Sequence, residues 1–222
     1  MNEKKRVIEE EVNTLIHGIG LALSIIGLTL IVFLSVRWYG KPIQIVSCAI
    51  YGATLVLLYL ASTLLHGHLA RGLDKQIFKT FDYSAIYLLI AGTSTPFFLI
   101  TVQGTFGWVL FFIVWGIATL GILHKIFMFY KFELISKFSY IIMGWIIVIA
   151  IKPLFASISW LGFLFLLIGG LFYTIGFFLF FMRDSKYKFN HAIWHGFVLS
   201  GSIVHFFTIL IFVLLIPLKH TM

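Results

Sequence analysis

Seven apolar stretches, each long enough to cross a bilayer, leave this chain little choice of fold. They run over about 15–36, 43–65, 82–102, 107–123, 139–155, 157–181 and 192–216. A hydrocarbon core about 30 Å thick takes about 20 apolar residues at 1.5 Å per residue. Lipid offers no partner to a backbone N–H or C=O, so each stretch must close its hydrogen bonds internally, as a helix. Charged residues make up 11% of the chain, against roughly a quarter in a soluble domain, and a water-soluble globular fold is excluded. The expected fold class is an all-α membrane protein, a seven-transmembrane helix bundle. Connections are short and there is no linker, low-complexity tract or strict repeat, so residues 1–222 are read as one domain. The first stretch is too long for a signal-peptide core and no small-residue cleavage site follows, so it is expected to stay as a helix. Lys152-Pro153 interrupts the fifth stretch and is expected to leave a short loop before the sixth.

The net charge of +8 would suggest nucleic acid in a soluble protein; here its distribution reads as topology. Twelve of the sixteen Lys and Arg residues fall on one side: Lys4, Lys5 and Arg6; Arg71, Lys75 and Lys79; Lys125, Lys131 and Lys137; Arg183, Lys186 and Lys188. Arg37, Lys41, Lys152 and Lys219 fall on the other. Because positive charge stays in the cytoplasm, the N-terminus is expected inside and the C-terminus outside. No nucleic-acid partner is expected.

With that topology the polar residues can be placed by depth. His191 and His195 are four apart at the start of the last stretch, so they share one helical face and can hold one metal ion. The plain alternative is a pair of interfacial histidines without a ligand. Ser62 and His66 are likewise four apart at the inner end of the second stretch, and Phe81-Asp82-Tyr83 opens the third. His66, Asp82, His191 and His195 therefore share one level near the cytoplasmic interface, with Asn190 a good cap for the seventh helix. Asp82, at the N-terminus of the third helix, is expected to be favoured in its ionised form. The single cysteine, Cys48, excludes a thiolate-rich site. Three neutral imidazoles and a water make a tetrahedral zinc site with one open position. His68 is turned away from His66, and His205 lies about 15 Å further along the last helix than His195, so neither can join the same ion. A structural role, bonded to a neighbouring helix or hydroxyl, is expected for His205. His124 opens a Lys- and Phe-rich connection read as interfacial, His220 sits in the outer tail, and Cys48 packs.

Upstream, Glu10, Asn13 and His17 are three and four apart, on one face of the segment entering the first helix. From the residues alone, this face is equally a solvated lead-in, since Glu9, Glu10 and Glu11 form a charge run.

Glu10-x-x-Asn13-x-x-x-His17, Ser62-x-x-x-His66, Phe81-Asp82-Tyr83 and His191-x-x-x-His195, in this order and on matching helices, resemble the signature motifs of the hemolysin III family. These are bacterial relatives of the progestin and adiponectin receptors, in a superfamily that includes the alkaline ceramidases. The resemblance covers nearly the whole chain. It implies seven helices, a cytoplasmic N-terminus and zinc near the inner face of the cell membrane. It matches His66, His191 and His195 to the ligands, Asp82 to the acidic residue beside the metal's water and Ser62 to the serine behind it. It adds Glu10, Asn13 and His17, with Tyr83, as residues lining the site. By analogy, the function expected is zinc-dependent hydrolysis of a lipid amide or ester, with Asp82 accepting a proton and Ser62 orienting water or bonding the oxyanion. A membrane lipid would be the substrate or ligand. The alternatives are a zinc-containing receptor or membrane-homeostasis regulator, and a hemolysin-type pore. A pore should carry polar residues at several depths, whereas here they gather at one end.

Overall fold

A computed structural model describes residues 3–38, 40–128, 131, 133–181 and 189–216. Among the described residues, seven helices are long and apolar enough to cross a membrane, and there is no strand. They are α1 (Glu3–Trp38), α2 (Pro42–Ala70), α3 (Gln76–Val102), α4 (Gly104–Phe127), α5 (Glu133–Ser157), α6 (Trp160–Phe181) and α7 (Asn190–Leu215). The chain is a multi-pass membrane protein.

Lipid inverts the usual amphipathic helix. The buried residues of α1 are Glu9, Asn13, His17, Gly20, Ser24, Gly27, Ile31 and Ser35, a stripe of mostly polar or small residues three and four apart. Leu15, Ile26 and Phe33, on the same helix, are exposed. In a bilayer that arrangement costs nothing outside, because lipid tails are as apolar as leucine, and it lets polar groups find partners inside. The small residues set how closely the helices approach. A Cβ at Gly20 would collide with the Tyr59 ring on α2, and one at Gly27 would meet Phe206 on α7. In this way α1 lies against both α2 and α7.

The helices are longer than the apolar runs that betray them. α1 begins at Glu3 rather than near residue 15, so the Glu10-Asn13-His17 face belongs to the first span itself. Likewise α3 begins at Gln76 and α5 at Glu133, because polar residues at the interface continue a helix as readily as apolar ones. Lys152-Pro153 does not make a loop. A 3-10 stretch over Ile146–Ala150 precedes the helical turn Ile151–Ser157, which begins two residues before the proline, where its missing N–H is tolerated. The break falls later, at Ile158 and Ser159. In α3, Pro96 removes a backbone donor, and the wider π-helical turn Phe97–Val102 follows directly.

α5 is the least buried of the seven spans. Hydrogen bonds tie it to its neighbours: Tyr140 Oη donates to the Tyr83 carbonyl at 2.9 Å, Tyr87 and Ser139 hydroxyls meet at 2.7 Å, and Trp145 Nε1 donates to Thr174 Oγ1 at 3.1 Å. Between these bonds lies a cavity.

Arg183, Lys186, Lys188 and Lys219, on which part of the charge asymmetry rests, lie outside the described residues, as does His220. Paired reporter fusions at the two ends are expected to report from opposite faces, with the N-terminus cytoplasmic. Both ends reporting from one face would contradict that orientation.

Candidate metal centre

Three imidazoles from three helices converge near one end of the bundle. His17 comes from the buried stripe of α1, His66 from the C-terminal end of α2 and His195 from the second turn of α7, each at most 2% exposed. One ligand atom from each lies within 4.8 Å of the others. The ring centroids are 5.5 Å apart for His17–His66, 4.1 Å for His17–His195 and 4.8 Å for His66–His195.

The nitrogens show what such a cluster is suited to hold. His66 Nδ1 lies 2.6 Å from Glu10 Oε2. An ionised carboxylate only accepts, so Nδ1 carries the hydrogen and a neutral His66 keeps its lone pair at Nε2. That Nε2 is buried without a hydrogen-bond partner, as are both ring nitrogens of His17 and of His195. Leaving one buried polar group unmade costs about 1–3 kcal/mol. In neutral rings one nitrogen of each of the three histidines carries a lone pair, and a cation would satisfy those three of the five. A carboxylate fixing the far nitrogen of a ligand histidine is the usual support for such a site. The buried three-histidine group can therefore hold a metal ion.

His191 lies beside this group. Its ring centroid is 4.4 Å from His195 and 5.1 Å from His66, and the ring stacks on Trp194 at 5.5 Å with an interplanar angle of 16°. Thus His66, His191 and His195, grouped on the sequence by depth, do come together. The trio of mutually close nitrogens, however, contains His17 where the sequence reading had His191. The physical reason is position: His17 sits on the inward stripe of α1 with its ring against His195, whereas His191 stands on the first turn of α7.

Asp82 and Ser62 meet next to the histidines. The Ser62 hydroxyl donates to Asp82 Oδ1 in a buried bond between α2 and α3. Since that hydrogen is used, Ser62 can hold Asp82 and accept a hydrogen from water, but it cannot at the same time donate to an oxyanion. Asp82 is the seventh residue of α3, beyond the first turn within which a helix N-terminus favours negative charge, so the expected helix-end contribution is absent. Asn13 donates to Glu10 Oε2 at 3.4 Å. The Tyr83 carbonyl anchors Tyr140, and the Lys125 ammonium stands over its ring, 5.1 Å from the centroid.

His17, Ser62, Asp82 and His195 also line a cavity of about 640 Å³, walled by α3, α5, α6 and α7. Its lining runs along α3 from Lys79 to Phe97, about 27 Å at the helical rise. Lys79, Lys125, Glu133 and Lys137 line one end and His205 is deep in it; most of the wall is aliphatic or aromatic, Leu, Ile, Phe, Val, Tyr and Trp.

Among the other histidines, His68 bonds the Leu64 carbonyl through Nδ1 at 2.7 Å and packs on Phe78, facing away from the cluster. His205 Nε2 reaches the Leu166 carbonyl on α6 at 3.1 Å, the neighbouring-helix bond expected of it. His124 lies inside α4 rather than at the start of a loop. Cys48 packs in the core.

Residues 5–206 match the family model described as Haemolysin-III related. The chain belongs to that family. It is 46% identical over 209 residues to the Hemolysin-3 homolog of Bacillus subtilis (strain 168), covering 94% of this chain and 96% of the relative. It is also 46% identical over 215 residues to Hemolysin-3 of Bacillus cereus, covering 96% of each. A human relative, Monocyte to macrophage differentiation factor, is 27% identical over 212 residues, 93% of this chain and 85% of that protein. Within this haemolysin-III-related chain, sequence reasoning missed Glu9. Its Oε1 accepts the backbone N–H of His191 at 3.3 Å, so α1 caps α7. Asn190 is not the cap: it is the first helical residue, after Phe189 at a left-handed φ of 63°. No local signal marks a carboxylate whose partner is 182 residues away.

Proposed function

We propose that this haemolysin-III-related protein is a zinc-dependent hydrolase that cleaves an amide or ester of a membrane lipid at the cytoplasmic leaflet. One coincidence carries the reading: buried imidazoles with unpartnered nitrogens and a serine-held carboxylate share the wall of a long apolar cavity. An aqueous substrate needs no such wall; a lipid tail does.

His66 and His195 would hold the zinc, with His191 as the third ligand by family resemblance or His17 by nitrogen spacing; the metal content of His191→Ala and His17→Ala separates the two. The chemistry zinc supplies when bound is polarisation of a carbonyl and acidification of water. The chain's own residues do the rest. Glu10 holds His66 in the tautomer that leaves Nε2 bare. Asp82 takes the proton of the attacking water and returns it to the leaving amine or alkoxide. Ser62 is a positioning residue, fixing the Asp82 carboxylate and accepting a hydrogen bond from the same water. The cavity seats the acyl chain, so the scissile carbonyl stops beside His195.

The test is release of fatty acid from a panel of amide and ester lipids by the purified, zinc-containing protein. At least one lipid is expected to be cleaved, and cleavage to stop on chelation. A second reading has its own support, because the His17–His66–His195 group joins α1, α2 and α7: zinc could brace the bundle of a receptor or regulator. A zinc-loaded protein inert across the whole panel would favour that role. Liposomes holding the protein are expected to retain small ions and dyes, since an apolar wall is a poor conducting path. Currents that survive zinc removal would instead favour a pore.

A further inference from the structure

The cavity has a second polar station that hydrolysis at the histidine cluster does not use. His205 lies ten residues beyond His195 on the regular part of α7, about 15 Å along the helix, and both residues line the cavity. Polar side chains this deep in a membrane bundle are costly, and each calls for a partner. His205 has half of one. Its Nε2 faces the Leu166 carbonyl at 3.1 Å, and a carbonyl only accepts, so Nε2 carries the hydrogen. In the neutral ring, Nδ1 is then a bare acceptor, and it is buried with no hydrogen-bond partner. The ring edge bearing Nε2 and Cδ2 is pressed against Gly169 of α6, which fixes the ring and turns Nδ1 away from that helix. Of the hydroxyls nearby, Tyr59 donates to Ser202, and Tyr173 and Ser202 are 2.8 Å apart; none of them reaches Nδ1.

We propose that His205 Nδ1 is a specificity subsite for a hydrogen-bond donor carried in mid-chain by the occupant of the cavity, so that the preferred ligand is a long-chain amphiphile with a hydroxyl near the middle of its apolar tail. The inference rests on the reading that an amphiphile lies in the cavity with its polar end at the histidine cluster. Three bonds of an extended chain span roughly 3.5 Å, so 15 Å corresponds to about a dozen bonds between head and hydroxyl. A plain acyl chain would leave Nδ1 unsatisfied, whereas a hydroxyl at that distance would satisfy it and lose no bond of its own.

The experiment compares ricinoleate with oleate, which differ only by a mid-chain hydroxyl, as competitors displacing a fluorescent fatty acid from the full protein in nanodiscs. Ricinoleate is expected to bind about tenfold more tightly, the effect of one buried hydrogen bond. Moving the hydroxyl beside the carboxylate should remove the gain, a control that needs no variant. In His205→Phe the preference for ricinoleate should vanish while oleate binding stays within about threefold; in His205→Gln, which keeps an acceptor, part of it should return. Equal binding of the two acids by the wild type would overturn the subsite and leave His205 with a water only. So would a preference that survives His205→Phe. If neither acid displaces the probe, the occupied-cavity reading falls as well, which distinguishes the two failures.

Discussion

Asp82→Asn is expected to lower turnover of a cleaved lipid by roughly 10²–10⁴, the usual worth of a positioned general base, while zinc content and helicity stay near those of the wild type. Asparagine has nearly the shape of aspartate, and its Oδ1 can still accept from Ser62, so the contact between α2 and α3 persists. It lacks the carboxylate's charge and its ability to take a proton. The substitution thus separates chemistry from binding, because Asp82 is not among the nitrogens that would hold the metal. The assay is fatty-acid release alongside zinc stoichiometry. Wild-type turnover in a zinc-loaded Asp82→Asn protein would remove Asp82 from the reaction. Ser62→Ala should weaken turnover less, since the carboxylate remains and only its orientation loosens.

The second large effect concerns the support behind the metal. Glu10→Gln is expected to weaken zinc binding by about 10–100-fold, the usual cost of losing the group that orients a ligand histidine. Glu10 Oε2 lies 2.6 Å from His66 Nδ1, and a neutral amide both loses the charge and can present its NH₂ to the ring instead. The measurement is a competition titration against a chelator of known affinity. Melting temperature should fall in parallel when zinc is limiting, because the cluster joins α1, α2 and α7. Unchanged zinc affinity in Glu10→Gln would show that the carboxylate does not tune the site.

The spans were legible because lipid imposes a crude requirement, some twenty apolar residues, that sequence displays directly. Their ends were not, since hydropathy falls away at the interface while the helix goes on, as α1 does back to Glu3. The site was legible in part for a similar reason. His66, Asp82 and His195 are polar residues at equal depth on helices that cannot avoid each other, and the topology alone brings them together. What depth could not supply was rotation about each helix axis. His17 lies on the inward stripe of α1 while Leu15, two residues away, faces outward, and no local pattern told the Glu10-Asn13-His17 face from a solvated one. The same gap hid Glu9, whose neighbour Glu11 is exposed while it is buried against α7.

Whether the buried histidines hold zinc is read directly from metal per chain, by elemental mass spectrometry, on protein purified without added metal or chelator. About one zinc per chain is expected in the wild type. His66→Ala and His195→Ala, the two ligands common to both candidate sets, should retain little, whereas His68→Ala, whose ring faces Phe78, should keep the full amount. A wild-type protein without bound metal, or full zinc content in His66→Ala, would mean that these histidines do not hold the ion.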